Sequence, residues 1–163
     1  MLRSTRSLEL SKISSAAGIE MTPSTALDRV TRGKVSLFKD ARGALGVLDF
    51  PKEIPFAPVR MFWIHDVPAG GKRGAHAHKA CTQFIVCGRG EVEIDAFDGT
   101  RNEEIKLSAG EYANIVPGIF ATLTFPQEHS TVIVLCDRPY EADDYIYDAD
   151  VLMKDTPLSD GST

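Results

Sequence analysis

Residues 70–90 read GGKRGAHAHKACTQFIVCGRG, and the expected architecture of the chain follows from them. Residues 81–87 form a strand-like run, and the Gly-Arg-Gly turn at 88–90 separates it from the next strand-like segment. The first half of the stretch contains His76 and His78, two of the four histidines in the chain. Side chains two apart in a strand project from the same face, so the two imidazoles are predicted to lie roughly 7 Å apart on one side.

Short apolar runs broken by Gly, Pro and Asp continue on both sides of this stretch. From Val35 onward they recur with the spacing that is typical of an all-β sandwich or barrel. Several runs, notably 84–86 and 131–135, are apolar at consecutive positions, which indicates that both faces are covered and favours two packed sheets. The predicted strands are 35–38, 44–49, 59–67, 81–87, 91–97, 101–107, 112–116, 121–125 and 131–136.

The length and composition of the chain predict one soluble globular domain. The 163 residues are 43% hydrophobic and 25% charged, and 18 Lys and Arg against 23 Asp and Glu give a net charge of -5, which argues against nucleic-acid binding. No run approaches the roughly 20 apolar residues of a membrane span, and the polar first thirty residues do not resemble a signal peptide. We therefore expect a cytoplasmic protein that binds no membrane and whose three cysteines are reduced and buried.

Composition also predicts where the domain begins and ends. Residues 1–33 are rich in Ser and Thr, which predicts a poorly ordered extension with at most a short helix over 8–19. The single β domain is expected over 34–150. Residues 151–163 turn acidic and then rich in Ser, Thr and Pro, as expected of a terminal tail.

The spacing within residues 70–90 resembles the first cupin motif, G(X)5HXH(X)3-4E(X)6G. His76 and His78 occupy its two histidine positions, and Gln83 stands where the motif has Glu. The frame of the second cupin motif is present at Gly110 and at Pro117-Gly118, but its histidine position falls near Phe120-Ala121. The resemblance implies a double-stranded β-helix, the cupin jelly roll.

These replacements predict a site without a metal ion. A four-ligand cupin site uses three His and one Glu, whereas this chain keeps two His and has a neutral amide at Gln83. An amide is a weak ligand beside a carboxylate, and two imidazoles alone would hold a transition metal poorly. Strict strand alternation would also turn Gln83 away from the histidine face unless a bulge intervenes.

Longer segments resemble the WxcM-like nucleotide-sugar 3,4-ketoisomerases, a cupin family whose bacterial members convert dTDP-4-keto-6-deoxyglucose into the 3-keto sugar. The resemblance covers roughly residues 35–148. Its most specific block is 73–79 (RGAHAHK), and it includes 40–45 (DARGAL), 54–60 (IPFAPVR) and 135–146, from LCD to DYI. It implies a homodimer that uses neither metal nor redox cofactor and acts on a dTDP-linked sugar.

The same resemblance assigns roles to individual residues. His76 and His78 match the catalytic pair that transfers protons, and Arg60 and Arg73 match basic positions that suit a diphosphate. The residues expected to bind substrate are Arg60, Phe62, Arg73, Lys79 and Gln83. The chain departs from the family pattern at Phe62-Trp63, where a Tyr is common, at 119–121, and at Tyr147, where Arg is usual.

Physical reasoning from the residues leaves several alternatives open. Phe62 and Trp63 point to opposite faces of one strand, so at most one lines the pocket and the other is expected in the core. The counter-charge of Arg60 is either a substrate phosphate or an internal acid such as Glu111. The neighbouring acids Glu141, Asp143 and Asp144 are expected to be solvated, and His65 and His129 to be structural or exposed.

Two other functions compete with the isomerase. The first is a cupin that has lost catalysis and binds a nucleotide sugar or a pathway partner. The second is a metal-dependent cupin oxygenase or epimerase that uses His76, His78 and an acid such as Glu93.

Overall fold

Two five-stranded antiparallel sheets face each other and enclose the main core. The computed structural model describes residues 25–154. Its strands are β1 Thr31–Lys34, β2 Ser36–Asp40, β3 Gly43–Val47, β4 Arg60–Ile64, β5 Gly71–His78, β6 Gln83–Arg89, β7 Glu91–Phe97, β8 Asn102–Ser108, β9 Glu111–Ile115, β10 Phe120–Phe125, β11 Thr131–Cys136 and β12 Tyr145–Ile146. Single 3-10 turns cover Leu27–Arg29 and Ala142–Asp144, and a short helix, α1, covers Asp150–Lys154.

The strand order is that of a jelly roll, which confirms the predicted all-β fold. The first sheet has the order β1-β9-β6-β11-β4 and the second β12-β5-β10-β7-β8, while β2 and β3 form a separate hairpin. Most neighbours in each sheet are distant in sequence, so pairing alternates between the sheets as the chain advances.

The burial pattern explains why these segments form strands. Along β7, Val92, Ile94 and Ala96 are buried, while the residues between them face outward, as expected for a strand with one solvated face. In β6, Phe84 and Val86 are buried as well as Ile85, because a second apolar cluster covers the outer face of the first sheet. The predicted covering of both faces is therefore confirmed for β6.

Three strands, β1, β5 and β12, are absent from the sequence-based prediction. β1 (TRGK) lies at a sheet edge with mostly exposed side chains, and β12 has only two residues, so neither has an apolar pattern. β5 (GKRGAHAH) has two glycines and no β-branched residue, and its first five residues are exposed or half-buried. Because the residues of β5 have weak β propensity, the sequence pattern does not reveal the strand that carries both histidines of the site.

Residues before the predicted domain boundary at 34 already take part in the fold. Leu27 is buried in the main core, and β1 pairs with β9 from Thr31 to Lys34. The reason is that a single buried Leu and backbone pairing hold this polar segment, and neither produces a compositional signal. At the other end, α1 begins at residue 150, the predicted end of the domain, and continues into the expected tail, where Leu152 is buried.

The expected extension at 1–24, including the helix over 8–19, and the tail after residue 154 lie outside the described residues. Within 25–154, no helix is long and apolar enough to cross a membrane. All three cysteines, Cys81, Cys87 and Cys136, are buried and free, as predicted.

Candidate active site

A cavity of about 190 Å³ lies between the two sheets and brings most of the predicted site residues together. Its polar lining comes from Arg73 and His76 on β5, Gln83 on β6 and Tyr145 on β12. The other walls are apolar or glycine and consist of Phe62, Ile64, Gly74, Ile85, Ala121, Leu123 and Val134. Gln83 faces the same cavity as His76 because it lies on the opposite sheet, so no alternation within one strand relates the two residues.

A bulge in β5 sets the direction of His76. β10 pairs Ala121 with His76 but Thr122 with Gly74, which leaves Ala75 as the extra residue. Gly74 and Ala75 have φ angles of 80° and 59°, in the left-handed region. A Cβ at Gly74 would also lie 2.8 Å from the carbonyl oxygen of Ala121, so the site requires glycine there.

His76 is a half-buried imidazole in the wall of the cavity, and its ring contacts those of His78 and Tyr145. In the neutral ring one nitrogen carries a lone pair and can act as a base. Burial lowers the pKa of His76, and the neighbouring His78 lowers it further, so the neutral form predominates at pH 7.

His78 is buried behind His76 and is held by Asp144. Nδ1 of His78 donates to Oδ2 of Asp144 at 2.7 Å, and both side chains are less than 10% exposed. The carboxylate also accepts the backbone N–H of Ala80 at 2.7 Å and that of Cys81 at 3.3 Å. Burial alone would raise the pKa of Asp144, but these hydrogen bonds outweigh it and hold the pKa below its usual value.

The two imidazoles meet edge to face at a centroid distance of 5.0 Å, closer than the roughly 7 Å that strand geometry predicts. Nε2 of His78 is buried and has no hydrogen-bond partner within the described part of the chain. Burial also lowers the pKa of His78, although Asp144 opposes this effect. The site therefore contains two neutral imidazoles at neutral pH, of which His76 lines the cavity.

Arg60 lies beside the cavity, on the same side of β4 as Phe62. Its Nη2 donates to Sγ of Cys136 at 3.4 Å, and its guanidinium lies 5.4 Å from the ring of Phe62 and 5.6 Å from that of Tyr140. The alternative that Glu111 neutralises Arg60 is wrong.

Glu111 instead forms an ion pair with Lys34 at 3.0 Å. The partner of Glu111 therefore lies on β1, the strand paired with β9, and the sequence does not show which strands pair.

Comparison with known proteins identifies the family of this chain. A family model described as FdtA, WxcM-like, C-terminal, matches residues 28–156. The chain belongs to the FdtA family. A curated relative from Aneurinibacillus thermoaerophilus, TDP-4-oxo-6-deoxy-alpha-D-glucose-3,4-oxoisomerase, is 32% identical over 125 residues, which are 74% of this chain and 90% of the relative.

Solved structures give the same result. A 3,4-ketoisomerase from Helicobacter canadensis superposes with a TM-score of 0.71 at 28% identity, covering 77% of this chain and 96% of that one. The 3,4-ketoisomerase QdtA from Thermoanaerobacterium thermosaccharolyticum, in complex with TDP, has a TM-score of 0.73 at 26% identity, with 78% and 94% covered. The predicted family and its isomerase class are confirmed.

Three residues of this chain lie in environments that differ from those predicted from the sequence. Asp144, expected to be solvated, is 7% exposed, because the 3-10 turn before β12 directs it inward to His78. Trp63, expected in the core, is 59% exposed on the outer face of β4, while Phe62 lines the cavity. Lys79 is exposed and does not line the cavity; its backbone N–H bonds the carbonyl of Asp144 at 2.8 Å.

The residues that could hold a metal ion form a different group from the one considered in the oxygenase alternative. Ligand atoms of His78, Cys81 and Asp144 lie within 4.8 Å of one another. His78 and Asp144 are already bonded directly, and this bond would have to break before both could bind one ion. Glu93 does not join the histidines, since it faces outward from β7 and pairs with Lys106 at 2.9 Å.

Proposed function

We propose that this protein converts a TDP-linked 4-keto-6-deoxyhexose into its 3-keto isomer. The observation that carries the proposal is a neutral His76 in the wall of a cavity between the sheets, with a second imidazole directly behind it. The names of the relatives support the substrate class, since one acts on TDP-4-oxo-6-deoxyglucose and another is bound to TDP. The cavity is smaller than the roughly 300–1,000 Å³ that takes a drug-sized ligand, which suits a ligand that places only its sugar ring inside.

The reaction moves a carbonyl group by one carbon. A base removes the proton at C3, which is acidic because it lies next to the C4 ketone, and an enediolate results. Return of a proton to C4, with transfer of the hydroxyl proton from O3 to O4, gives the 3-ketone. The isomerisation is redox-neutral overall, so proton transfer by side chains is sufficient chemistry.

His76 is the better candidate for the transfer between C3 and C4. It lines the cavity as a neutral imidazole, whereas His78 is buried and its Nδ1 is bonded to Asp144. A single imidazole that takes the proton from C3 can return it to C4, because the two carbons are adjacent. In this proposal His78 contacts the other side of the His76 ring and holds it in place.

Basic and polar residues around His76 are proposed to bind the rest of the substrate. Arg73 is exposed where it lines the cavity, and its planar guanidinium suits the diphosphate. Gln83 is buried in the lining and offers its amide to sugar hydroxyl groups. Phe62 gives one apolar wall, and Lys79 can reach only those parts of the ligand that remain outside.

Turnover of TDP-4-keto-6-deoxyglucose tests the proposal. We expect a 3-keto product by NMR and, in D2O, deuterium at C4 to the extent that the protonated His76 exchanges its proton with solvent before returning it. If the protein binds TDP and the 4-keto sugar but neither exchanges the C3 proton nor forms a 3-ketone, it is a binding module and the isomerase proposal is wrong.

We also propose a homodimer in the cytoplasm. Val59, Met61 and Trp63 project from the same face of the edge strand β4 and its preceding residue, and each is 55–60% exposed. The hairpin of β2 and β3 exposes Phe38 and Leu45, each 62%. Apolar surface of this kind beside a free sheet edge favours association with a second copy, and the buried free thiols fit a reducing compartment.

A further inference from the structure

Tyr145 is the polar side chain that contacts both histidines. β12 pairs with β5 so that Tyr145 lies opposite His78. Its ring centroid is 4.8 Å from that of His76 and 4.5 Å from that of His78, and its side chain lines the cavity. Any sugar carbon that reaches His76 therefore also lies near the phenol ring.

A cationic side chain lies near the phenol of Tyr145. The guanidinium of Arg60 is 5.6 Å from the ring of Tyr140, and the ring of Tyr145 is 5.5 Å from that same ring. Burial raises the pKa of Tyr145 although Arg60 opposes this effect, so the phenol remains protonated at neutral pH.

The isomerisation needs a proton donor that the histidine pair does not supply. Both imidazoles have lowered pKa values and are neutral at pH 7, which suits a base. His76 is the base in the proposed reaction, and the N–H of His78 is bonded to Asp144. Negative charge develops on O4 as the C3 proton leaves, and a donor placed at that oxygen lowers the barrier.

We propose that Tyr145 is the catalytic acid at O4 and that Arg60 supports it. The inference rests on the proposed isomerase function. His76 takes the C3 proton while the phenol gives its proton to O4, which yields the enediol, an imidazolium and a phenolate. The phenolate then takes the proton of the O3 hydroxyl, the C3=O bond forms, and the imidazolium returns its proton to C4. Both residues end as they began, and the positive charge of Arg60 stabilises the transient phenolate.

The test compares Tyr145→Phe with Tyr147→Phe. Tyr147 stacks on Tyr145 at 5.7 Å and is 69% exposed, so its variant removes an equivalent hydroxyl from the same aromatic cluster. Tyr145→Phe should lower kcat by about 100-fold or more with little change in TDP affinity, since positioned acid–base catalysis contributes about 10² to 10⁴ in rate. Tyr147→Phe should keep kcat within about threefold of wild type, because the lost hydroxyl takes no part in proton transfer.

A fluorinated tyrosine at position 145 separates catalysis from structure. Its phenol is more acidic but nearly the same shape, so turnover should return and its alkaline limit should move to lower pH. The inference is overturned if Tyr145→Phe keeps a third or more of wild-type kcat, or if the fluorinated residue restores turnover without moving that limit. Wild-type protein that does not turn over the 4-keto sugar overturns the isomerase proposal itself, a result distinct from an active Tyr145→Phe variant.

Discussion

His76 and His78 share one strand but differ in what surrounds them, and this difference predicts unequal effects of mutation. His76→Asn removes the group that titrates in the cavity while keeping its approximate size. We expect kcat to fall by about 10² to 10⁴ with TDP affinity largely retained, because acid–base catalysis acts on the chemical step. His78→Asn should lose less turnover but more stability, since it breaks a buried bond to Asp144. Steady-state kinetics and denaturant unfolding of both variants measure this contrast.

His129→Asn is the matched control for these variants, because that ring is exposed and lies outside the cavity. It should behave like wild type. Equal loss of kcat in His76→Asn and His78→Asn at unchanged stability would contradict the division of roles and support two histidines that share the proton transfer.

The pH dependence follows from the direction of the His76 pKa. The pKa is lowered from 6.5 by burial and by His78, and the base must be neutral to act. We therefore expect kcat/KM to be constant from pH 7 to pH 8 and still high at pH 6.5, and to fall only as pH drops through the lowered value. A half-maximal point above pH 6.5 would show that a different group is the base.

At the scale of elements, the 3-10 turn Ala142–Asp144, which precedes β12, places Asp144 against His78. Asp144→Asn keeps one acceptor oxygen but removes the charge that accepts from His78 and from two backbone N–H groups. A hydrogen bond to a charged group contributes about 1.5–3 kcal/mol, so the free energy of unfolding at pH 7 should fall by about that amount. The pKa of Asp144 is lowered in the folded state, so its contribution is present above the ordinary value of 3.8 and is lost as pH falls through the lowered value.

Asp143→Asn is the control for Asp144→Asn, since Asp143 belongs to the same 3-10 turn but is exposed. It should leave both stability and turnover unchanged. If the two variants behave alike, the buried His78–Asp144 bond does not stabilise the segment.

Elements differ in how far their sequence predicts them. All nine predicted strands overlap observed strands, and the closeness of His76 and His78 was also predicted, because both depend on local periodicity and turn residues. The bulge at Gly74-Ala75 could not, since a non-glycine residue with positive φ has no clear sequence signal. The bond from His78 to Asp144 joins residues 66 positions apart, and only the pairing of β12 with β5 brings them together.

At the scale of the whole molecule, the outer face of the first sheet exposes apolar side chains along β4 that nothing in a single chain covers within residues 25–154. Trp63 was expected in the core because an aromatic residue in an apolar strand is usually buried. Its exposure together with Val59 and Met61 along β4 makes one apolar strip at a free sheet edge. A second copy that covers this strip would bury Trp63, as expected for a large aromatic side chain.

The dimer can be followed through Trp63, the only tryptophan of the chain. We expect light scattering to give twice the chain mass at micromolar concentration, and the emission of Trp63 to shift to the red on dilution as the residue enters water. Met61→Glu should produce a folded monomer, because a charge buried at an apolar interface opposes association. Asp95→Lys, which changes charge on the outward face of β7, should remain a dimer. A wild-type monomer at micromolar concentration, with Trp63 emission independent of dilution, would show that the β4 strip is not the interface.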